Sequence, residues 1–276
     1  MLNLPVSDVE RWCPDALWEL AAPLIPPALV RPQGGDRRRV DDRAVLAAIC
    51  YLTQAGCLWW KLPEAMFGVT RATAHRRFTE WTKAGLWPAP HLAMLQRLQA
   101  AWELDWSRAV IDSIQVRAEK GGDLTGPSPV DRGKPGSKIH AMSERGGLPL
   151  VTAVSAANTP DAAMLLPLLD GMPAVSGRRG RPRRRPDKLH ADKAYDHRSL
   201  RAQIRRRGIT LRIARKKVES SQRLGRHRWV IERTMSWLMR YRRLVRRYDR
   251  YATHFAAFVS IACALVCYRK LAKQPK

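Results

Sequence analysis

The sequence predicts an α/β protein: a mixed sheet with flanking helices over residues 106–276, preceded by an all-α segment over residues 1–105. Three observations predict it. Up to Trp106 the apolar residues recur at helical spacing. Beyond it, short apolar runs of strand length alternate with helical stretches. Two stretches dense in Gly and Pro, 120–137 (KGGDLTGPSPVDRGKPGS) and 171–187 (GMPAVSGRRGRPRRRPD), punctuate that second part as loops. Strands alternating with helices describe a sheet covered on its faces, and 276 residues with 45% hydrophobic content supply a proper core.

In the N-terminal part, Asp41 or Asp42 can cap a helix through RAVLAAICYLTQ, with apolar residues at 45, 46, 49 and 52. LPEAMFG is a short segment ending in a glycine turn at Gly68. Thr70 then caps RATAHRRFTEWTKAG, which puts Ala74, Phe78 and Trp81 on one face and Arg71, His75, Arg76 and Lys83 on others. A short helix, a turn and a basic amphipathic helix make residues 58–85 a helix-turn-helix candidate. Arg71, His75, Arg76 and Arg77 are then available for bases or phosphates. The alternative is an ordinary helical bundle with a solvated basic face.

After Trp106 the rhythm changes. RAVIDS (108–113) reads as a strand ending in an aspartate. SKIHAMS (137–143) and LPLVTAVSA (148–156) read as two strands joined by a Glu-Arg-Gly-Gly turn. Thr159 and Pro160 start a helix through AAMLLPLLD. DKLHAD (187–192) is a fourth strand closing on an aspartate, SLRAQIRRRG a helix ending at Gly208, and ITLRIA a fifth strand. A helix from about Arg228 to Arg240 follows, then the apolar run FAAFVSIACALVCY (255–268). That run is short of the ~20 residues needed to span a bilayer, so it predicts a core helix.

Charge narrows the partners. The chain carries 50 Lys+Arg against 24 Asp+Glu, a net +26, and 38 of the cations are arginines. Residues 171–250 alone hold 27 Lys+Arg and 6 Asp+Glu. The planar guanidinium fork matches phosphate oxygens, so the bias implies nucleic acid above an anionic membrane surface. RRGRPRRRP (178–186) is a candidate flexible arm that orders on DNA. Five cysteines without Cys-x2-Cys spacing support neither a disulfide framework nor a zinc finger, and the histidines lack metal-ligand spacing. MLNLPVSDVERW has no basic region followed by a long apolar run. The expectation is a soluble, reduced, cytoplasmic protein associated with the nucleoid.

In so basic a chain the informative residues are the few acids in apolar surroundings. Asp112 ends the first strand, Asp192 ends the fourth, and Glu232 lies within WVIERTMSWL. If those strands are neighbours, both aspartates emerge at one edge of the sheet, within reach of a glutamate from a packed helix. Three converging carboxylates repel unless they hold a divalent cation, and Mg²⁺ takes such oxygen ligands together with substrate phosphates. Taken singly, each acid reads as a loop cap or an ion pair. The order Asp–Asp–Glu on this succession of strands and helices is what favours metal-assisted phosphoryl transfer.

These motifs resemble the DDE-class insertion-sequence transposases, in particular the group named after insertion sequence five. VDDRAVLAAICYLTQAGCLWWKLPEAMFG resembles that family's N-terminal helical domain, VIDSIQVRA its first catalytic motif, LHADKAYD its second and RHRWVIERTMSWLMRYRRLVRRYDR its third. The resemblance implies a ribonuclease-H-like fold, with Asp112, Asp192 and Glu232 as catalytic and metal-binding carboxylates and Mg²⁺, or Mn²⁺ in its place, as the cofactor. In the third motif, Tyr-x2-Arg-x3-Glu-x6-Lys, Arg228 matches the arginine. Gly225 and Met239 stand where the tyrosine and lysine belong, and Arg240 is near enough to supply the missing cation. Lys138 and His140 alternate on the second strand, where both could touch a phosphate.

The activity and partner implied by this resemblance are those of a transposase, a homodimer or larger oligomer on double-stranded DNA. It would bind its element's terminal inverted repeats, cut the DNA and join the 3′-OH ends to a target. Two alternatives stay open. One is a catalytically inactive DNA-binding repressor derived from a transposase, and the other is a metal-dependent nuclease without strand transfer.

Overall fold

The computed structural model describes residues 7–27, 39–213 and 225–273, with the side chains of the helix beginning at residue 225 described from 229 onward. Two short helices, α1 (Asp8–Trp12) and α2 (Asp15–Ala21), precede α3 (Asp42–Ala55). The Asp41 carboxylate accepts the N–H groups of Arg43 and Ala44, two of the donors a helix start leaves unpaired. Val45, Leu46, Ile49 and Leu52 are buried, as their spacing requires. Gly56 ends α3 at φ 70°, and a Cβ there would lie 2.6 Å from Cβ of Arg242, so a glycine lets the distant chain close on this helix. After α4 (Glu64–Phe67) the chain turns at Gly68, φ 62°, into α5 (Arg71–Lys83), whose Thr70 hydroxyl accepts the Thr73 N–H at 3.2 Å. α6 (Pro88–Ala100) completes the helical part.

The sheet is built from β1 (Ala109–Ala118), β2 (Gly126–Pro127), β3 (Pro135–Glu144), β4 (Pro149–Ala156), β5 (Lys188–Ala191), β6 (Thr210–Ile213) and β7 (Arg246–Arg247). Its five main strands lie in the order β4-β3-β1-β5-β6. β3 runs antiparallel to β1 and β4, whereas β5 and β6 run parallel to β1. The remaining helices are α7 (Leu165–Asp170), α8 (Arg198–Arg206), α9 (Gly225–Met239) and α10 (Ala252–Leu271). This mixed sheet with flanking helices is the ribonuclease-H-like fold.

Two elements differ from their sequence signature. β1 does not stop at Ser113 but continues to Ala118, because Ser113, Gln115 and Arg117 pair across to β3 at His140, Lys138 and Gly136. Partner pairing overrides the polar look of that stretch. The expected helix after Thr159 starts as a single 3₁₀ turn, 161–164, with no side-chain cap, and becomes α-helical only at Leu165. Pro167 has no N–H to give to a carbonyl four residues back, so the regular helix restarts with the proline in its first turn.

α10 runs for 20 residues, longer than the apolar run alone, and by length and composition it could cross a membrane. It is instead a core helix. It packs against α6, α3 and α5 on one side and β4 and α9 on the other. Phe258 stacks on Phe78 of α5 with ring centroids 4.6 Å apart, and Cys263 and Cys267 are buried among the aliphatic residues.

The turn after α9 is held by buried arginines that the charge count alone assigns to a polyanion. Arg243, 2% exposed, donates to the Asp249 carboxylate at 2.9 Å and to the Cys57 carbonyl at 3.0 Å. Arg247, fully buried, donates to the carbonyls of Asp249, Leu124 and Arg250 and, at 2.6 Å, to the Ser137 hydroxyl. Removing one member of a buried ion pair strands the other charge and costs about 3–5 kcal/mol. Arg243→Ala should therefore lower unfolding stability in urea by that amount. Arg246→Ala, on the exposed side of the same segment, should stay within about 0.5 kcal/mol. Equal losses in the two variants would refute the structural role.

Candidate active site

The parallel pairing of β1 with β5 positions the two aspartates. Ala109 pairs with Leu189 and Val110 with His190. Two positions further along come Asp112, still within β1, and Asp192, one residue past the end of β5, each on the same alternation face as the last paired residue before it. Both residues are half-buried. Asp112 Oδ1 accepts the N–H of Ser113 at 2.8 Å, and Asp192, one residue past the end of β5, accepts the N–H of Lys193 as it caps a 3₁₀ turn over 193–195. Carboxylates ordered by backbone donors are already aimed.

Glu232 lies on α9, which packs against β1, β3 and β5 through Val230, Ile231, Thr234, Met235 and Leu238. Its own side chain is on the exposed face of the helix. Among the described residues, no three His, Cys, Asp or Glu side chains stand close enough to hold a metal ion. What the fold supplies is one aspartate on β1, another just past the adjacent parallel β5, and a solvent-facing glutamate on a helix packed over those strands. Arg228 lies in the first turn of α9, and its side chain is outside the described residues.

Lys138 and His140 do not line this pocket. In an antiparallel pair, partner residues share a face and successive residues alternate. Asp112 pairs with Ala141, whereas Ser113 pairs with His140 and Gln115 with Lys138, so the two bases lie on the opposite face of the sheet. There Lys138 Nζ donates to Asp161 Oδ1 at 2.9 Å and to the Thr159 carbonyl at 2.9 Å, and His140 Nε2 sits 2.8 Å from the Ser155 hydroxyl. Both bases are buried and engaged, which withdraws them from phosphate. Arg240, exposed just past α9, lines a cleft of about 630 Å³ beside Glu144, Trp237 and Arg269, and none of the three carboxylates lies in that lining.

The basic helix α5 divides in the same way. Arg71 and Arg76 face solvent. Arg77 is buried, with its guanidinium 3.8 Å from Asp42 and 3.7 Å from Glu80, so it ties α5 to α3 and is not displayed to DNA. Its position is readable in the spacing, since 74, 77, 78 and 81 form one helical face. His75 packs edge-on against Trp59, ring centroids 5.0 Å apart, and burial lowers its pKa, so it offers a neutral ring. The run 178–186 is not a free arm. Arg178 donates to the Gln99 carbonyl at 2.8 Å and lies over the Trp102 ring, Arg183 donates to Asp187, and Arg185 donates to the Arg207 carbonyl at 2.7 Å. Arg179, Arg181 and Arg184 remain exposed between these anchors.

Two buried imidazoles make the fold sensitive to acid. Burial pushes His140 and His91 down to about 4, and His91 Nε2 sits 2.9 Å from the Pro149 carbonyl, where it pins α6 to β4. Between pH ~6.5 and ~4 the unfolded chain takes up protons that the folded chain refuses, so stability falls as pH drops through that window. Each histidine contributes up to about 3 kcal/mol to the loss. Urea unfolding between pH 7.5 and 4.5 should show it, and His140→Gln should flatten the slope; an unchanged slope in that variant would contradict its neutral burial.

Comparison with known proteins converges on one family. Residues 13–91 match the family described as "Putative transposase of IS4/5 family", and residues 106–267 match the transposase DDE domain. Over 164 residues the chain is 42% identical to the putative transposase for insertion sequence element IS402 of Burkholderia cepacia, covering 59% of this chain and 76% of that protein. It is 37% identical over 116 residues to the uncharacterized 16.2 kDa protein of the same element, 42% of this chain and 79% of that one. The crystal structure of the Mos1 strand transfer complex aligns with 90% of this chain and 82% of its own at 10% identity and a TM-score of 0.31, a likeness too loose to bear on the assignment. The DDE domain brings divalent-metal dependence in general. Since that domain spans more than half of its length, the chain belongs to the family of DDE-domain DNA transposases.

Proposed function

We propose that this transposase binds the terminal inverted repeats of its insertion element, cuts the DNA there and joins the 3′-OH ends to target DNA. Asp112, Asp192 and Glu232 are its acidic site. The observation that supports the reading best is the parallel pairing of β1 with β5, the strand that carries Asp112 and the strand that leads into Asp192, within the matched DDE domain. Mg²⁺ is commonly held by one or two carboxylates together with waters and substrate phosphates. Two aspartates therefore fit Mg²⁺, or Mn²⁺ in its place, without a closed protein cage, and Glu232 of α9 is the third carboxylate of the proposed site. A divalent ion held by these residues would supply polarisation of the phosphate and activation of the attacking oxygen. The chain's own contribution is to hold the carboxylates through the N–H groups of Ser113 and Lys193 and to bring the DNA to them. Two element ends call for a homodimer or larger oligomer on DNA, acting on the genome in the cytoplasm.

End recognition falls to the helical part, residues 1–105, with Arg71 and Arg76 of α5 as its displayed cations; residues 106–276 form the catalytic domain. Arg71→Ala and Arg76→Ala should each weaken binding to an end-containing duplex. A base-reading contact costs about 1–3 kcal/mol and relaxes specificity, while a phosphate contact weakens all sequences alike. Each phosphate neutralised adds roughly −0.9 to the slope of log K against log salt, so affinity should collapse as salt rises. A flat salt dependence would detach the basic surface from DNA.

Asp192→Asn keeps the size of the side chain and removes the charge. Cleavage with Mg²⁺ should fall by orders of magnitude while DNA binding persists, and adding Asp112→Asn should worsen it little, because the residues act as a unit. Nicked and joined products are scored on one gel. Equal cleavage by wild type and Asp192→Asn would leave a DNA-binding repressor as the better reading, and nicks without joined products would leave a nuclease.

A further inference from the structure

Behind the sheet, on the face opposite Asp112, lies a polar cluster with no part in the chemistry described so far. Asp161, in the 3₁₀ turn 161–164, accepts the Ser113 hydroxyl at 2.8 Å and the Lys138 ammonium at 2.9 Å on one carboxylate oxygen. Nδ1 of His140 stands 3.9 Å from that oxygen, as a neutral ring. Lys138 is itself fixed by the Thr159 carbonyl at 2.9 Å. The Asp161 turn also packs against the 193–195 turn that Asp192 caps.

Ser113 is the link between this cluster and the front of the sheet. Its backbone N–H holds the Asp112 carboxylate at 2.8 Å, and its hydroxyl is held from behind by Asp161. One residue thus connects a carboxylate on the front face to an anchor on the back face. We infer that Asp161 is a positioning residue: through Ser113 and Lys138 it fixes the backbone that presents Asp112, and through its turn it steadies the one that presents Asp192. It cannot be a metal ligand from the far side of the sheet. Outer partners that orient a ligand by hydrogen bonds commonly cost 10–100-fold in metal affinity when removed. The inference rests on the reading of Asp112 and Asp192 as metal-binding carboxylates.

The test uses full-length protein carrying Asp161→Ala, Asp161→Asn or Ser113→Ala, with Asp192→Asn beside them. Mn²⁺ binding is measured without DNA by the paramagnetic resonance of the free ion, alongside thermal melting, affinity for an end-containing duplex and cleavage as a function of metal concentration. Asp161→Ala should weaken Mn²⁺ binding roughly 10-fold or more and shift the metal requirement for cleavage upward by the same factor. Duplex affinity should stay within about twofold, since the cluster faces away from the metal side. Asp161→Asn, which still accepts from Ser113, should recover part of the loss. Ser113→Ala should reproduce the Mn²⁺ defect, and it carries the test alone if Asp161→Ala fails to fold. Wild-type Mn²⁺ binding and metal requirement in Ser113→Ala would overturn the inference, as would the same result in a folded Asp161→Ala. If Asp192→Asn is inactive while those variants behave as wild type, only the positioning role falls. If Asp192→Asn itself binds Mn²⁺ and cleaves normally, the acidic-site reading falls first.

Discussion

The parallel contact between β1 and β5 is the constraint on which the functional geometry depends. It is short, with two paired positions, yet it fixes the 80-residue offset between the strand that carries Asp112 and the strand that leads into Asp192. A slip of one residue would turn Asp192 to the other face from Asp112, because side chains alternate strictly along a strand. The long antiparallel partner protects against that slip. β3 pairs with β1 over nine positions, and the Asp161 cluster ties the two strands together at Ser113 and Lys138. β5 in turn is held by β6 on its far edge, in register from Lys188 to Ala191.

The excess of arginine serves two purposes that composition cannot separate. Arg243 and Arg247 satisfy buried carbonyls and one buried carboxylate, and they join the turn after α9 to the loops before β3 and after α3. Arg77, Arg178 and Arg201 act similarly, each closing a contact between elements. A guanidinium suits this work because five donors in one plane can serve several carbonyls at once. Net charge predicts the kind of partner; it does not say which cations meet that partner. The exposed set, Arg71, Arg76, Arg179, Arg181 and Arg184 among others, is the part that can.

Much of the fold was legible because its signals are local. Asp41 and Thr70 cap the helices they precede, the Glu-Arg-Gly-Gly turn joins β3 and β4, and the order of strands and helices follows the apolar runs. Asp192 follows the last residue of its strand as the apolar run predicts, whereas Asp112 lies inside β1 and not at its end. What escaped depended on partners distant in sequence. The second half of β1 is polar and becomes a strand only because β3 lies beside it. Alternation along one strand puts Lys138 and His140 on a common face but leaves open which face it is, and only the register with Asp112 decides it. Arg77 stands at core spacing on α5, and there position outweighs charge. Ser113 and Asp161 could be linked by no spacing rule, being 48 residues apart.

The shared core also bears on how the helical part and the sheet work together. The inner face of α5 meets α10 through the stacked rings of Phe78 and Phe258, and Trp59 packs on both. The Arg243 guanidinium lies over Phe258 in turn, at the end of the turn that follows α9. A continuous set of buried contacts therefore runs from the helix bearing Arg71 and Arg76 to the helix bearing Glu232. Close-packed interiors transmit displacement instead of absorbing it. On the proposed reading, the helix that meets the duplex and the strands that carry the acidic residues are parts of one packed core.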